Sequence, residues 1–561
     1  MPLIRNWAGI EALKPGLSPA EQQLIDACKR GEPCKLGDGE LPPEGEPAPE
    51  REIRAKILRY LILGGCEDCK VEGWGVNLAG ACITGVLDLS FQTAKGLTGL
   101  SNCRFQSGLL ALQTRFEFLN LTRSAFPSLN AQGAEISGNV FLRGTEAKGE
   151  VSFASAQIGG QLSCEGATFE NENGDALNAE GAEIRGHVSL DGTTAKGEVH
   201  FLGAQIGGQL SCNGAIFENE NGHALNAQGA EVREGVFLRG TKAKGEVSFS
   251  SAQIGGELSC EGATFENADG HALNAQGLSV ADGLVWWEVT VKAGRVVLTS
   301  AHVKDLVDDF KGWPKSGQLF MDGFIYDKII GSDLSTKERI DWVTAGAVSS
   351  DEFRPQPFTQ LAKFYRETGH DASARDVLFE RERLVRKYAR RDRMRARLSL
   401  FNNPIVELFR WLFGDLLVRW VVGYGHGPFR SLFWLIGLFV LAVIPAHYAW
   451  EEGSFAPNSG PVLVSEDWKT FAHLPDERNP AELWSIHGHP GQDWETFNRY
   501  AYAADLVIPI IDFGQTDAWT PSTTRGPWGW HLWWARWLFT AMGWLITALG
   551  AAAITGLLKR E

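Results

Sequence analysis

The sequence predicts a mixed fold: a parallel β-solenoid with α-helical caps, followed by an α-helical membrane domain with two spans and a re-entrant helix. The first observation is a nearly literal 48-residue repeat in the middle of the 561-residue chain, the signature of a repeat architecture. The second is a pair of long stretches near the C-terminus without Asp, Glu, Lys or Arg. The third is composition, because 14 of the 20 Trp residues follow position 400.

Charge limits the classes of partner. The net charge is −15, from 53 basic and 68 acidic side chains, which argues against a general nucleic-acid binder because such proteins carry a basic surplus. We therefore expect no nucleic acid among the partners. The predicted domains are an N-terminal helical cap and linker over 1–70, the solenoid over 71–306, a helical neck with a basic helix over 307–400, and the membrane domain over 401–561.

The repeat predicts the solenoid directly. Segments 130–177, 178–225 and 226–273 agree almost letter for letter. Within each copy, short apolar pairs such as Val140 and Leu142 alternate in–out–in, which is the period of a β-strand. Glycine-rich segments between the pairs suit tight corners. We interpret one period as two coils of about 24 residues, so that some ten coils stack on one another.

Two features recur once per period. A four-residue excess, FENENGDAL in the first copy, predicts either a ladder of oxygen ligands for Ca²⁺ that includes Asn171 and Asp175, or a turn in which Gly supplies a positive φ. The turn is favoured because later copies replace acidic residues. Cys164, Cys212 and Cys260 share one phase, too far apart for disulfides, and are predicted to be small core residues.

The N-terminal region predicts two helices, Ser18–Arg30 and Arg51–Leu63, the second of which would cap the open end of the solenoid. No secretory signal is evident, so we expect this half of the chain in the cytoplasm. Cys66 and Cys69 form a CxxC motif. A zinc or redox site is possible for such a pair, and a pair of plain structural cysteines in the cap is favoured.

The membrane domain is predicted from two apolar spans, 431–450 and 537–558, each flanked by Trp. The outer loop between them, 451–498, carries nine acidic and two basic residues. Basic sequence precedes the first span, and Lys559 and Arg560 follow the second. The positive-inside rule then places both termini in the cytoplasm, and we expect the inner (cytoplasmic) membrane of a bacterium.

A third apolar piece, 499–515, is too short to cross a bilayer and is followed by a glycine-containing turn. It is predicted to be a re-entrant helix, so the pore-loop candidates are Asp505, Asp512, Gly514 and Asp517. In a conducting oligomer, Asp512 and Asp517 would form a ring that attracts cations. The alternative for both residues is turn capping at the outer interface.

Two other segments of this domain carry predictions. Segment 404–422 is apolar but interrupted by charges, which predicts an amphipathic helix at the inner interface. Ala548, Ala552 and Gly556 form a small-residue face that allows close helix–helix approach. Either self-association or packing within the chain would use it.

Histidines in the outer loop give the remaining metal candidate. His473, His487 and His489 would suit a transition metal, although a His-Gly-His segment before proline is more typical of a plain loop. Neither a strand-linked GxGxxG motif nor haem or iron–sulfur spacing occurs in the sequence, so we expect no cofactor.

The chain also resembles a bacterial family of membrane-anchored repeat proteins that are often labelled membrane-associated oxidoreductases. The resemblance rests on IRAKILRYLIL, the IxGxVxL-type repeats, LFMDGFIYDKI, QLAKFYRETGHDASARDVL, VVGYGHGPFRSLFWL and YAADLVIPIIDFGQTDAW, and extends over nearly the whole chain. Separately, the order of elements over about 430–561 resembles that of two-span pore-loop cation channels. The potassium-filter signature is replaced there by IIDFGQTD.

Taken together, these features predict a cytoplasmic solenoid that senses or binds an unknown protein or ligand, coupled to a two-span, ion-conducting pore-loop domain. The lipid bilayer is one expected partner, and the analogy with pore-loop channels implies a homo-tetramer. The alternative is a membrane-tethered interaction scaffold without transport. A third hypothesis is a membrane-associated oxidoreductase that uses Cys66 and Cys69; the leading prediction is not an enzyme.

Overall fold

The computed structural model describes residues 4, 6–45, 48–66, 69–331, 334–349, 352–395, 410–427, 429–473 and 479–555. The chain divides into two compact units, Met1–Val377 and Leu378–Glu561, called here the solenoid unit and the helical unit. Gly556, the end of the predicted span 537–558 and the first part of the predicted interfacial helix 404–422 lie outside the described residues.

The solenoid unit contains a parallel β-solenoid of about 12 turns, which confirms this part of the predicted fold. Each strand pairs in parallel with strands of the coils before and after it. The 20 strands of the first sheet are Cys34–Lys35, Gly75–Ala79, Leu97–Ser101, Arg115–Phe116, Phe118–Asn120, Glu135–Ile136, Val140–Phe141, Gln157–Ile158, Leu162–Ser163, Glu183–Ile184, Val188–Ser189, Gln205–Ile206, Leu210–Ser211, Glu231–Val232, Val236–Phe237, Gln253–Ile254, Leu258–Ser259, Ser279–Trp286, His302–Asp308 and Ile325–Gly331. The 16 strands of the second sheet are Glu52–Arg54, Cys82–Thr84, Leu87–Asp88, Arg104–Phe105, Leu109–Leu110, Ala125–Phe126, Leu129–Asn130, Glu146–Ala147, Val151–Ser152, Thr168–Asn178, Thr194–His200, Ile216–Asn226, Lys242–Ser248, Thr264–Asn274, Thr290–Val297 and Leu319–Phe320.

Coils of 22 and 26 residues alternate through the repeat region. Val140 pairs with Leu162, Leu162 with Val188, and Val188 with Leu210. One period therefore makes two coils, as predicted, with the four extra residues in every second coil. At the corners one residue adopts a positive φ, as Gly181 does at 60°, and glycine suits these positions because it has no Cβ.

The four extra residues form a bulged loop. In the first copy, the Asn171 side-chain amide donates to the Asp175 carbonyl oxygen over 2.8 Å, and equivalent bonds close the other two loops. This geometry supports the turn over the calcium ladder. The glycine with positive φ is Gly197 in the next coil, at 117°, where a Cβ would overlap the carbonyl oxygens of Asn171 and Gly174. The expectation that a glycine inside the loop supplies this conformation is wrong.

The core of the solenoid is apolar in every coil. Cys164, Cys212 and Cys260 are fully buried free thiols, as predicted for small core residues. Burial raises the pKa of all three, that of Cys260 to about 12. Larger residues such as Phe169 are fully buried as well, and each such side chain contributes about 1.5–3 kcal/mol to stability.

Three helices precede or interrupt the first coils: α1 (Trp7–Glu11), α2 (Pro19–Arg30) and α3 (Ala55–Ile62). A capping box between Ser18 and Glu21 starts α2, and the buried Glu21 carboxylate also binds the Arg54 guanidinium over 2.6 Å. Helix α3 starts later than expected because Glu52–Arg54 pairs as a strand with Cys82–Thr84. Both α2 and α3 contact the first strands; a capping role for them stays a prediction.

Parallel pairing continues to Ile325–Gly331, past residue 306, because the in–out alternation persists after the repeat letters fade. Helices α4 (Thr336–Ala347) and α5 (Gln356–Glu367) follow, and α6 (Asp371–Arg395) contains the boundary between the units.

The last coils pack against α4 through aromatic rings and a buried ion pair. The rings of Phe265, Trp286, Trp313 and Trp342 follow one another at centroid distances of 5.8, 4.9 and 5.7 Å. Beside them, the Arg339 guanidinium donates two hydrogen bonds to the Asp308 carboxylate, at 2.8 and 2.6 Å. Both side chains are buried, so each charge depends on the other for compensation.

The helical unit follows the boundary in α6. After the rest of α6 it contains a π-helical segment, Arg410–Leu416, and a 3₁₀ turn at Gly423–Gly425. A short antiparallel strand pair joins Phe455–Pro457 to Trp519–Pro521. The helices are α7 (Leu417–Val422), α8 (Arg430–Glu451), α9 (Gly460–Leu463), α10 (Glu466–Ala472), α11 (Pro480–Ser485), α12 (Arg499–Val507), α13 (Gln515–Ala518) and α14 (Pro527–Ile554).

Candidate functional site

Helices α8 and α14 are long and apolar enough to span a membrane. Only 17% and 22% of their most apolar windows are buried, whereas a core helix of a soluble protein would be mostly buried. The exposed side chains include Phe433, Leu441, Trp534, Trp537 and Leu538. This surface is compatible with a membrane protein that carries a solenoid module.

The two helices pack antiparallel through small residues. A Cβ at Gly550, near the end of α14, would press on Ser431 at the start of α8. At the opposite ends, the Glu452 carboxylate accepts the Gly529 backbone N–H over 2.7 Å. A carboxylate at a helix N-terminus is stabilising, and nothing in the apolar periodicity of the sequence signals this role of Glu452.

A closed hairpin, residues 498–515, lies between these helices in the chain and is the candidate site. It comprises α12 and the loop after it. The Asn498 backbone N–H donates to the Gln515 side-chain oxygen over 2.8 Å, so the hairpin starts and ends at the same place. Inside it, the Asp505 carboxylate accepts the backbone N–H groups of Phe513 (2.6 Å) and Gln515 (2.8 Å). The turn itself therefore supplies the hydrogen-bond partners of Asp505.

The hairpin extends alongside both long helices. At its start, Arg499 contacts the His447 ring nitrogen over 2.8 Å, near the C-terminal end of α8. At the end of α12, the Val507 carbonyl oxygen lies against Gly543 so closely that a Cβ there would overlap it. Gly543 is near the middle of α14, so the helix reaches about half the length of its longer neighbour.

The loop that follows α12 is uncovered within the helical unit. Ile510 is 81% exposed and Phe513 53% exposed. The Asp512 carboxylate is also exposed and accepts the Gly514 backbone N–H over 2.8 Å, while Gly514 adopts a φ of 75°. Asp517 is exposed in the first turn of α13. The four predicted pore-loop residues therefore belong to one turn and its immediate surroundings.

The predicted small-residue face of α14 differs from the face that packs within the chain. Ala548 is exposed and Ala552 half-buried, whereas Gly543 and Gly550 make the close contacts. Gly556 lies outside the described residues. The two packing glycines contact different elements, Gly543 the end of α12 and Gly550 the start of α8, and their spacing in the sequence was the signal for these contacts.

The CxxC cysteines face each other across a two-strand hairpin, Gly65–Cys66 and Cys69–Lys70. The Tyr60 hydroxyl donates to the Cys66 sulfur over 2.8 Å. Burial raises the pKa of the Cys69 thiol, which makes it a poorer nucleophile, since reactive cysteines have lowered values. This environment does not favour the redox hypothesis.

The outer-loop histidines do not converge. His473 contacts the Lys469 carbonyl oxygen over 2.8 Å, His489 packs its ring edge-on against Phe471, and His487 is exposed. Within the described residues, no group of three or more His, Cys, Asp or Glu side chains is arranged to hold a metal ion.

A groove of about 790 Å³ runs along one face of the solenoid. Along this face, coils with a glycine after the buried Ile or Val alternate with coils that carry an arginine there. Ile184 pairs with Ile206, which places Arg185 beside Gly207. The polar lining is Glu183, Arg185, Gln205, Glu231, Arg233, Gln253 and Ser279. The alternation of EIRG with QIGG at constant spacing was the sequence signal for this groove, which sequence analysis missed.

No protein-family model, curated protein or solved structure matches this chain. Its resemblance to membrane-anchored repeat proteins and to pore-loop channels therefore stays a prediction from motifs.

Proposed function

We propose that the chain is a membrane protein whose cytoplasmic solenoid binds a protein or ligand and whose oligomeric helical unit conducts cations. The observation that carries the proposal is the hairpin 498–515, which closes on itself at Asn498 and Gln515 and reaches the middle of α14 at Gly543. With α14 across a bilayer, such a hairpin enters and leaves on one side. It is then a re-entrant helix.

Oligomerisation follows from the exposed loop. Irregular backbone at membrane depth is tolerated only where protein or a water-filled cavity covers it. In one chain the side chains of Ile510 and Phe513 are uncovered, so further copies would supply the cover. The analogy with two-span pore-loop proteins favours four copies around one axis.

Charge favours cations. The C-terminal end of α12 carries the negative end of the helix dipole, and the exposed Asp512 lies in the loop directly after it. Repeated around an axis, these groups would raise the local concentration of cations and exclude anions.

Orientation follows from charge as well. The basic stretch of α6 precedes the first span, and the loop after that span is acidic. The positive-inside rule then puts the solenoid and both termini in the cytoplasm and the hairpin entry outside, in the inner membrane of a bacterium. The groove with Arg185 and Arg233 would be the solenoid's binding surface.

The test is conductance of the purified full chain in planar bilayers. Asp512→Asn should lower cation conductance while the protein remains a tetramer in detergent. The matched control is Asp493→Asn, an exposed acidic residue outside the hairpin, which should leave conductance unchanged. A monomeric protein that passes no current at any voltage, pH or ligand tried would overturn conduction.

A membrane-tethered scaffold is the second candidate. The observation in its favour is that the Asp512 carboxylate accepts the Gly514 backbone N–H, which is turn capping and requires no ion. In a scaffold the hairpin only packs, and the solenoid groove provides the function. A protein that is monomeric in detergent and still binds a partner through the groove would favour the scaffold over the channel.

A further inference from the structure

We infer that the helical unit holds an anionic phospholipid by its phosphate group, in a pocket between Arg419 and Arg430. The inference rests on the membrane location proposed above but not on conduction.

The pocket lies where α6, α7 and the first turn of α8 meet within the helical unit. It has a volume of about 410 Å³. The Trp434 indole N–H donates to the Trp420 carbonyl oxygen over 3.1 Å, which holds α7 against α8 and fixes one wall. The lining residues are Phe379, Arg419, Trp420, Arg430, Phe433 and Trp434.

The described lining of this pocket is positively charged. Among the described lining residues two are basic and none is acidic. The Arg430 guanidinium lies over the Phe379 ring at 5.5 Å, and the side chain of neither Arg430 nor Arg419 has an ion pair or a hydrogen bond with another described residue. Neighbouring basic residues differ, since Arg386 pairs with Glu382. Two guanidinium groups in the lining of one pocket suit a phosphate by charge and by hydrogen-bond donors.

The walls indicate that this phosphate belongs to a lipid. Phe433 is 74% exposed and Trp420 59% exposed, and both continue the apolar outer surface of α8. Because Arg430 is the first residue of a candidate span, the pocket lies at headgroup level, where Trp and Arg residues anchor membrane proteins. The volume suits a headgroup, and the acyl chains would lie along α8. A free phosphate ion would gain nothing from these aromatic walls.

The experiment is native mass spectrometry of the full chain in detergent, titrated with phosphatidylglycerol or with phosphatidylcholine. We expect the wild type to bind phosphatidylglycerol more tightly, and the double variant Arg419→Gln, Arg430→Gln to lose the preference. Each arginine should account for about a fivefold change in affinity. The matched control is Arg390→Gln, Arg391→Gln, which removes two charges from α6 outside the pocket and should keep the preference.

Four outcomes would overturn part of the proposal. Equal loss in the control variant would show general attraction to basic sequence and overturn the site, as would equal binding of both lipids by the wild type. Displacement of the lipid by inorganic phosphate alone would assign the pocket to a soluble anion and overturn the lipid assignment. A chain that fails to insert into vesicles of either lipid would contradict the membrane proposal itself, whereas insertion without preference would contradict only the pocket.

Discussion

The two units bury their apolar residues in opposite ways. In the solenoid unit, the coils stack buried apolar side chains in columns, and one such column, Cys164, Cys212 and Cys260, is fully buried. In the helical unit, the largest apolar residues of α8 and α14 point outward, with Phe433 at 74% and Leu538 at 64% exposure. The solenoid buries its own apolar surface, whereas the helical unit leaves the apolar surface of its two long helices exposed.

This difference sets what holds each unit together. A solenoid coil contacts mainly its two neighbours, so stability grows by repetition. In the membrane location proposed above, contact between the long helices transfers apolar surface from lipid rather than from water. Their association then depends on close contacts at small residues and on satisfied polar groups. Gly543, Gly550, Glu452 and Asp505 provide these contacts.

The largest effect should come from a break in solenoid repetition. Deletion of 178–225 removes two whole coils, one of each length, and should leave a folded, shorter solenoid. Deletion of 178–201 removes 24 residues, which matches neither the 22- nor the 26-residue coil, and should unfold the coils around it because corners and strands fall out of register. Limited proteolysis and circular dichroism distinguish the two. Complete unfolding of the 48-residue deletion would refute the nearest-neighbour description of this unit.

The buried ion pair at the end of the solenoid should give the next largest effect. Arg339→Ala removes the positive charge and both guanidinium hydrogen bonds from the buried Asp308 carboxylate, which keeps a hydrogen bond from the Trp313 indole N–H, and should lower the free energy of unfolding by about 3–5 kcal/mol. The control, Arg354→Ala, removes an exposed pair with Asp322 and should cost about 0–1 kcal/mol. The free energy of unfolding of both variants is measured by urea titration, followed by hydrogen exchange of the backbone amides in the last coils. Similar losses of unfolding free energy in the two variants would show that the Arg339–Asp308 pair does not stabilise the packing of α4 on the last coils more than an exposed pair does.

The solenoid was largely predictable because its information is local and repeated. The period, the two coils per period and the buried cysteines follow from alternation and spacing. Local patterns say less about contacts between residues that are far apart in the sequence. Two contacts depend on how the coils stack: the close approach of Gly197 to a loop of the preceding coil, and the pairing of Asp308 with Arg339. The sequence around these residues does not indicate either contact.

The helical unit was predictable only at the level of its long helices. Apolar length identifies α8 and α14, and the short apolar helix before the glycine turn is visible too. The partner of Asp505 was not, because a carboxylate that accepts backbone N–H groups eight to ten residues later requires knowledge of how the loop folds back. Which small-residue face of α14 packs within the chain was not predictable either, because several such faces coexist on an Ala- and Gly-rich helix; use of the Ala548 face in self-association stays a prediction.

A smaller effect is expected at the hairpin of the helical unit. Asp505→Asn retains one acceptor oxygen but removes the charge that binds the N–H groups of Phe513 and Gln515, and should cost about 1–3 kcal/mol. Thermal unfolding in detergent measures the loss. Asp493→Asn, at an exposed position, should fall within about 0.5 kcal/mol of the wild type. An equally mild effect at Asp505 would mean that the turn does not depend on this carboxylate.

The smallest effect concerns alkaline pH and separates the solenoid from the helical unit. Burial raises the pKa of Cys103 from its ordinary value of 9.0 to about 12. Below pH 9 the thiol is protonated in both states; between pH 9 and 12 only the unfolded chain ionises, so solenoid stability falls as pH rises. At pH 10 this thiol should account for a loss of about 1 kcal/mol.

The variant Cys103→Ala tests this role of the thiol. It should be less stable than the wild type at pH 8 because packing is lost, yet its stability should decline less between pH 8 and pH 10. The control, Leu119→Ala, changes a buried side chain that does not titrate and should lower the free energy of unfolding by the same amount at pH 8 and at pH 10. If stability declines with pH as steeply in Cys103→Ala as in Leu119→Ala, the thiol does not have this role.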